Sequence, residues 1–275
     1  MNFIVYNNQL INRNDLKLSE KNRGFLYGDG FFESIKIFNR KPFNFENHFK
    51  RIQSSANYLD LIFKISKQDF LNIIIELLEN NKIINGYIRI SVFRESLGKY
   101  CPDRNDCSFI ISSKEDKNSC FTVSSNYLNL GVYKENLKSN SKLSNLKSLN
   151  SLLYVMASKY ALENKHDDVL LLNTHENIIE STNSNLFICD KGVVFTPPLS
   201  DGCVDGSMRK LLLSIIKNEY EIKVQSLSFQ QIQQSEEIIL SNAISGVRRV
   251  THFANEIYSK KAFYNFLIKS LNSLI

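Results

Sequence analysis

Short apolar segments typical of β-strands alternate with helical patterns along the first third of the chain. Two such segments flank Asn7-Asn8 and two more flank Asn39-Arg40, and this arrangement predicts two β-hairpins. Apolar residues then recur at helical spacing, which predicts helices from about Glu46 to Asp60 and from Ser66 to Asn80. The strands predicted here are Phe3–Tyr6, Gln9–Ile11, Phe32–Phe38, Lys41–Phe45, Tyr87–Phe93 and Cys107–Ser112.

The second half of the chain mixes short apolar strands with amphipathic helices. Its predicted strands are Phe121–Ser125, Val169–Leu172, Leu186–Cys189, Val193–Phe195 and Ile238–Leu240. Its predicted helices are the segment after Lys147, Met208–Tyr220 and Ala262–Leu274. The polar stretch Lys114–Asn118 lacks periodicity and is the predicted linker. The pattern therefore predicts two lobes, a small α+β domain over 1–117 and a larger mixed α/β domain over 118–275.

Composition places the chain among soluble globular proteins, with 43% hydrophobic and 23% charged residues in a length of 275. The net charge is +6, but the lysines are scattered, which indicates a solvated basic surface and no nucleic-acid partner. Such a field favours a small anionic substrate. The five cysteines have no zinc-binding spacing, and no apolar run reaches membrane length. We expect a cytoplasmic protein with free thiols, no metal and no membrane association.

Lys147 is the most informative single residue, because it lies immediately ahead of a predicted helix. The positive end of a helix dipole disfavours a protonated amine. An unprotonated lysine can form a Schiff base with an aldehyde cofactor. Glu180 follows further along the chain, and a carboxylate can pair with a protonated pyridine nitrogen and make the ring an electron sink.

Four features could bind an anion. Gly206 precedes a predicted helix whose first residues, Ser207 and Met208, would present backbone amides. Ser241-Asn242 follows a predicted strand. His48 and Arg51 are three residues apart and share one helix face, so Arg51 is a candidate phosphate ligand. Arg94, at a strand end, could hold a substrate carboxylate bidentately. Each feature has a simpler alternative: an ordinary helix entry at Gly206, which is favoured for that feature taken alone, a plain loop at Ser241-Asn242, an exposed arginine at Arg51 and a surface salt bridge at Arg94.

Several common enzyme motifs are missing from the sequence. Gly28-Asp29-Gly30 lacks the third glycine of a dinucleotide-binding fingerprint, and it does not lie between a strand and a helix. The sequence also has no Walker loop and no nucleophile elbow. No motif in the sequence therefore favours a hydrolase or a nucleoside triphosphatase.

Taken in order, the segments resemble the class IV aminotransferases, the fold-type IV pyridoxal-phosphate enzymes. The family includes branched-chain and D-amino-acid aminotransferases and 4-amino-4-deoxychorismate lyases. The matching motifs are Arg23–Glu33, His48–Arg51, Lys147–Asn150, Glu180–Phe187, Thr196–Leu199 and Gly206–Arg209. The resemblance implies pyridoxal 5′-phosphate as the cofactor. It also implies a two-lobed fold with a small α+β domain and a larger α/β barrel-like domain, in a homodimer.

The resemblance also implies roles for individual residues. Lys147 would bind the cofactor covalently and move protons, and Glu180 would pair with the pyridine nitrogen. Arg51 would bind the phosphate. Backbone at Ser207 and Met208, and the Ser241-Asn242 segment, would complete the phosphate site. The residues implied on the substrate side are Arg94, Phe32 and His48.

The motifs are closest to those of the 4-amino-4-deoxychorismate lyases, which release pyruvate and 4-aminobenzoate. Gly206-Ser-Met-Arg209, Lys147-Ser-Leu-Asn150 and Ser241-Asn242-Ala243 resemble the lyase forms. Phe32 stands where the D-amino-acid transaminases carry a tyrosine, and Ser151 stands where the branched-chain enzymes carry one. Glu33-Ser34, however, replaces a pair of threonines found in some lyases. An amino-acid transaminase using 2-oxoglutarate is the alternative, and a cofactor-free binding protein with the same fold is a remoter one.

Overall fold

The structure is a computed structural model that describes residues 2–123 and 128–275. The chain divides into two compact units. The first comprises Met1–Cys120 and Lys147–Asn150, and the second comprises Phe121–Leu146 and Ser151–Ile275. Both units mix α and β structure, as the sequence predicted. The division falls three residues beyond the predicted boundary at 117, and the segment Lys147–Asn150 belongs to the first unit although the prediction assigned it to the second domain.

The first unit is built on an antiparallel sheet. Its strands are β1 (Phe3–Tyr6), β2 (Gln9–Asn12), β3 (Gly30–Phe38), β4 (Lys41–Pro42), β5 (Gly86–Arg94) and β6 (Cys107–Glu115). They lie in the order β2-β1-β6-β5-β3-β4. The helices are α1 (Arg23–Tyr27), α2 (Phe45–Tyr58) and α3 (Lys67–Asn80), and Arg13–Asp15 forms a 3₁₀ turn.

Side chains of α2, α3 and the sheet share one apolar core. Ile52 of α2, Phe70 of α3 and Ile88 of β5 are fully buried within it. At the start of α3, Ser66 accepts a hydrogen bond from the backbone N–H of Asp69, which is the predicted cap. The predicted strand Lys41–Phe45 is only two residues long, because α2 already begins at Phe45.

The second unit contains a larger mixed sheet. Its strands are β7 (Asn129–Lys138), β8 (Asp168–Asn173), β9 (Ile178–Ser181), β10 (Asn185–Asp190), β11 (Val193–Thr196), β12 (Glu221–Val224), β13 (Glu237–Asn242), β14 (Gly246–Arg249), β15 (His252–Phe253) and β16 (Glu256–Ile257). They are paired in the order β12-β11-β10-β9-β8-β7-β15-β16, and β13 pairs with both β10 and β14. The helices are α4 (Leu152–Glu163), α5 (Ser207–Ile216), α6 (Phe229–Gln233) and α7 (Ala262–Asn272), with 3₁₀ turns at Lys142–Asn145 and Leu199–Asp201.

All six residues of β8 are buried, because the strand is covered on both faces. Leu170 packs in a cluster with residues of β10 and β13. The next residue, Leu171, packs in a second cluster that contains Ala157 and Ala161 of α4. Alternate residues of a strand point to opposite faces, which explains why this segment is apolar at nearly every position.

Two predictions for the second unit need correction, and β7 is among the strands that were not predicted. Phe121–Val123 does not form a strand, and the last two residues of that predicted strand, Ser124 and Ser125, lie outside the described residues. The helix predicted to end at Tyr220 ends at Ile216, where a turn leads into β12. Strand β7 was missed because its second half, with Lys134, Glu135, Asn136 and Leu137 exposed, is mostly polar. No helix in the part of the chain that the structure describes is long and apolar enough to cross a bilayer.

Candidate active site

A buried carboxylate on β3, Glu33, holds two predicted site residues of α2. Arg51 donates from Nε and Nη2 to the two carboxylate oxygens, at 2.5 Å and 2.8 Å, and His48 Nδ1 lies 2.7 Å from Oε2. Burial raises the pKa of Glu33, but the charge of Arg51 and the hydrogen bond from His48 outweigh it and lower that pKa to about 2. Burial lowers the pKa of His48. Near neutral pH the cluster is therefore an Arg51–Glu33 ion pair with a neutral imidazole.

These contacts bear on both α2 predictions. Glu33 fixes one edge of the Arg51 guanidinium, so the side chain is already oriented before any ligand binds. A phosphate contact by Arg51 stays a prediction. His48 is only 1% exposed and is bonded to Glu33, so the structure favours a supporting role for His48 over the predicted place beside substrate. Glu33 itself was not predicted as a site residue, and the signal for it was its position in the Gly-Asp-Gly-Phe-Phe-Glu motif.

Lys147 lies in an extended segment that pairs with the start of β3. Its carbonyl accepts a hydrogen bond from Phe32 N–H at 2.9 Å, and Leu149 N–H donates to the Gly30 carbonyl at 3.0 Å. Helix α4 begins only at Leu152. The local reason offered for Lys147, a position at a helix start, is therefore wrong, and the lysine is positioned by backbone pairing with a strand.

Two cationic side chains lie against the ring of Phe32. Lys147 Nζ is 4.0 Å from the ring centroid, and the Arg89 guanidinium carbon is also 4.0 Å from it. Arg89 extends from β5 on the same face as Phe32, because Ser34 is its direct partner in the β3–β5 register. Among the described residues the side chain of Arg89 makes no hydrogen bond or ion pair, so its charge is available to a bound anion. Sequence reasoning missed Arg89.

Arg94 has a structural role within the first unit, and its predicted contact with a substrate carboxylate stays a prediction. Its Nε donates to Asp29 Oδ2 at 3.0 Å, Nη1 to Asn105 Oδ1 at 2.6 Å and Nη2 to the Leu59 carbonyl at 2.6 Å. Asp29 also receives Arg23 Nε at 2.7 Å. The Gly-Asp-Gly motif is therefore a structural junction, and all three nitrogens of Arg94 already donate to protein oxygens.

In the second unit, Glu180 on β9 is a buried carboxylate with donors at both oxygens. Oε1 accepts from Lys138 Nζ at 2.6 Å and from the Tyr154 hydroxyl at 2.8 Å. Oε2 accepts from the backbone N–H of Val204 at 2.9 Å. Burial and the adjacent charge of Glu180 raise the pKa of Tyr154 well above its usual range, so the tyrosine remains a proton donor.

The start of α5 has the properties of an anion site. Its N-cap residue, Gly206, makes no side-chain cap hydrogen bond, and Ser207 and Met208 are buried. A Cβ atom at Gly206 would lie 2.1 Å from Asn185 Oδ1, so only glycine fits there. Asn185 Nδ2 in turn donates to the carbonyl of Ser241 at 2.8 Å and to its Oγ at 3.1 Å. Asn185 thus brings together the helix start and the strand end that the sequence singled out separately.

Asn242 closes the turn between β13 and β14. Its Oδ1 accepts hydrogen bonds from the backbone N–H groups of Ile244 and Ser245, and its Nδ2 donates to Ser184 Oγ at 3.1 Å. The side chain is therefore occupied within the protein. A contribution of Asn242 to phosphate binding stays a prediction, and it would come from the backbone.

Comparison with known proteins defines the class. Residues 30–253 match the family Amino-transferase class IV. The chain is 27% identical to the D-alanine aminotransferase of Staphylococcus epidermidis over 93% of its own length and 90% of that protein. A provisionally assigned 4-amino-4-deoxychorismate lyase of Legionella pneumophila superposes with a TM-score of 0.87 at 25% identity, over 96% of this chain and 97% of that one. The branched-chain aminotransferase of the thermophilic archaeon Thermoproteus uzoniensis, solved with norvaline, has the same fold, with a TM-score of 0.90 at 18% identity over 98% and 93%.

The chain belongs to the class IV aminotransferase family and is a pyridoxal-phosphate-dependent enzyme with the fold of that family, as its motifs predicted. Such an enzyme needs an amine, a carboxylate for the ring nitrogen and an anion-binding backbone. Lys147 has an amine, Glu180 has a carboxylate and the start of α5 has backbone amides, so groups of the three kinds that this cofactor requires are present in the chain. Among the described residues, no group of three or more His, Cys, Asp and Glu side chains could hold a metal ion.

Proposed function

We propose that the protein is a 4-amino-4-deoxychorismate lyase, which releases pyruvate from its substrate and leaves 4-aminobenzoate. The observation that carries the proposal is Phe32, whose ring lies 4.0 Å from Lys147 Nζ. A tyrosine, as in the D-amino-acid transaminases that the motif resembles, would add a second proton-transferring group beside the lysine. With phenylalanine, Lys147 is the acid–base group on this face of β3. The likeness to the Legionella protein supports the same assignment.

We assign substrate carboxylate binding to Arg89 in place of Arg94. The proposed substrate is an amino compound with two carboxylates, and Arg89 is a guanidinium without a protein anion among the described residues, on the same face as Phe32. Arginine can bind a carboxylate through two parallel hydrogen bonds, which fixes the orientation of the ligand as well as its position. Arg89 would therefore orient the substrate relative to Lys147.

The remaining roles follow from the chemistry of the cofactor. When bound, pyridoxal phosphate supplies an electrophilic aldehyde and a ring that accepts electron density from the substrate. Lys147 would provide the amine for covalent attachment. Once released by substrate, it would take the proton from the carbon that bears the amino group and supply a proton to the departing three-carbon fragment, which leaves as pyruvate. Glu180 would hold the proton on the ring nitrogen. The amides of Ser207 and Met208 would bind the phosphate, and the same role is proposed for the Arg51 side chain.

An amino-acid transaminase is the second candidate, and one specific observation favours it. The relatives that the chain matches over 90% of their length include D-alanine aminotransferases, one of them at 27% identity. Both reactions need the same lysine, carboxylate and phosphate site, so these groups do not discriminate between them. The difference must lie in the residues that select which bond of the substrate is aligned for cleavage.

A product assay separates the two candidates. The holoenzyme is supplied with 4-amino-4-deoxychorismate alone, or with D-alanine or leucine together with 2-oxoglutarate, and Lys147→Ala is the matched inactive control. Formation of pyruvate and 4-aminobenzoate from the first mixture supports the lyase. Accumulation of keto acids from the amino acids, without 4-aminobenzoate from the first mixture, supports the transaminase and refutes the lyase.

We also propose that the protein forms a homodimer. Helix α4 exposes apolar side chains at several positions, including Leu152 at 67%, Val155 at 52% and Leu162 at 80%. Exposed apolar patches of this kind mark protein–protein contacts in soluble proteins. Light scattering of the holoenzyme should give twice the chain mass, and Val155→Glu should yield monomers. A monomeric wild-type protein at micromolar concentration would contradict the proposal.

A cytoplasmic location is proposed from the cysteines. All five, Cys101, Cys107, Cys120, Cys189 and Cys203, are free thiols in the structure. Unpaired thiols are typical of proteins in reducing compartments. Fractionation of cells that produce the native protein tests this, and recovery outside the cytoplasm would contradict it.

A further inference from the structure

The carboxylate of Glu180 is held by two side chains to which the proposed chemistry gives no role. Lys138 Nζ lies 2.6 Å from Oε1, and the Tyr154 hydroxyl lies 2.8 Å from the same oxygen. Lys138 Nζ also donates to the Tyr154 hydroxyl at 2.7 Å, so the three groups form a closed triangle. The side chains of Lys138 and Glu180 are only 9% and 5% exposed.

The buried charge of Lys138 is balanced by Glu180. Within the described residues Lys138 makes no ion pair with any other acid. Removing two charges from water costs free energy, and a buried pair is often no more stabilising than an apolar pair of similar size. The contribution of Lys138 to stability therefore does not account for a lysine at this position. Its electrostatic effect on the Glu180 carboxylate does.

We propose that Lys138 is a positioning residue that keeps the proton on the cofactor's ring nitrogen and off Glu180. The inference rests on the proposed pairing of Glu180 with that nitrogen. A proton on the carboxylate would cost Lys138 the favourable interaction with its counter-ion. Because Lys138 is hydrogen-bonded to Glu180 itself, its charge acts more strongly on the carboxylate than on a group that binds beyond it. Tyr154 fixes the geometry by bonding to both partners.

The proton can be located directly by nitrogen NMR of the holoenzyme loaded with pyridoxal phosphate labelled at the ring nitrogen. The chemical shift separates a protonated from an unprotonated pyridine without any turnover. In Lys138→Met the resonance should move towards the unprotonated position, because Glu180 now competes for the proton. Lys138→Arg keeps the charge and should stay near wild type.

A matched control is available in the first unit. Lys36 is also buried, and its amine forms an ion pair with Asp116 and lies over the ring of Phe38, neither of which is assigned to the site. Lys36→Met should lower stability but leave the nitrogen resonance unchanged. If Lys138→Met does not fold, Lys138→Gln provides the test, since it also removes the charge while a polar amide can still donate to Glu180 and Tyr154.

The outcomes separate this proposal from the proposed function. A wild-type resonance in folded Lys138→Met, or in Lys138→Gln where that variant is the test, overturns the role of Lys138. Glu180→Gln is the reference, because loss of the carboxylate should leave the ring nitrogen unprotonated. A protonated resonance in Glu180→Gln would instead refute the assignment of Glu180.

Discussion

Arg51 of α2 donates to both carboxylate oxygens of Glu33 on β3, and the two side chains are only 7% and 1% exposed. This pair links a helix to the strand that carries Phe32. Its energetics can be tested in the apoprotein, separately from catalysis.

Glu33→Gln should change how stability depends on pH. The folded pKa of about 2 lies below the ordinary 4.5, so the contribution of Glu33 is fully present above about pH 4.5 and is lost as pH falls towards 2. At pH 7 the variant should be less stable by about 3–5 kcal/mol, because it leaves the buried Arg51 without its partner. Urea unfolding of apoprotein over this pH range measures the difference. A difference that does not shrink below pH 4.5 would contradict the ion-pair assignment.

Arg51→Ala should weaken pyridoxal phosphate binding by roughly ten- to a hundredfold, the effect of losing one charge-assisted hydrogen bond of about 1.5–3 kcal/mol. The same substitution leaves Glu33 unpaired, so a fall in affinity alone is ambiguous. The double variant Glu33→Gln, Arg51→Gln removes both charges and serves as the control. If the double variant binds the cofactor as tightly as wild type, Arg51 does not contact the phosphate.

Borohydride reduction of the holoenzyme should attach the cofactor to Lys147. Among the described lysines, this one has its Nζ 4.0 Å from the centroid of the Phe32 ring, which Arg89 also contacts. Peptide mass spectrometry after digestion identifies the modified residue. Lys147→Ala should bind the cofactor reversibly and take up no label, and a label on another lysine in the wild type would refute the assignment.

Arg89→Gln and Arg94→Gln should have contrasting effects. The side chain of Arg89 makes no hydrogen bond or ion pair among the described residues, so its loss should leave the unfolding midpoint nearly unchanged and raise KM for the anionic substrate. Arg94 donates from three nitrogens to protein oxygens, so its loss should cost about 2–4 kcal/mol of stability. Steady-state kinetics and urea unfolding on both variants make the comparison. An unchanged KM in Arg89→Gln would rule out its role in binding substrate.

Glu180→Gln should retain the cofactor and lose turnover. A neutral amide can accept a hydrogen bond but cannot hold the ring nitrogen in its protonated form, so the electron sink is weakened. The absorbance of bound cofactor verifies loading, and product formation measures kcat. Turnover at the wild-type rate in the fully loaded variant would show that Glu180 does not pair with the ring nitrogen.

The comparison of Arg89 with Arg94 shows where sequence reasoning reached its limit. Both arginines lie on β5, and because they are five residues apart they point to opposite faces of the sheet. The alternation of residues along the sequence identifies the strand, but it does not show which face of β5 lies on the same side of the sheet as Phe32. That choice depends on the β3–β5 register, which is a long-range property.

Predictions that rest on residues close together in sequence were more reliable than those that depend on distant residues. The Ser66 cap and the shared face of His48 and Arg51 depend on residues three positions apart, and both were predicted. The Lys138–Glu180 pair joins residues 42 positions apart in sequence, and no local sequence pattern predicts it. The helix start at Ser207 and the strand end at Ser241 were identified separately, and Asn185 is the residue that joins them.

Lys147–Asn150 belongs to the first unit although it lies far along the chain, and this has a consequence for fragments of the protein. A fragment that ends at Cys120 would encode every strand of the first sheet, yet it would lack the segment that pairs with β3. The Phe32 N–H and the Gly30 carbonyl would then lose their backbone partners, leaving an unprotected strand edge. We therefore expect such a fragment to self-associate in solution, and to do so less when a peptide spanning Leu146 to Ser151 is added.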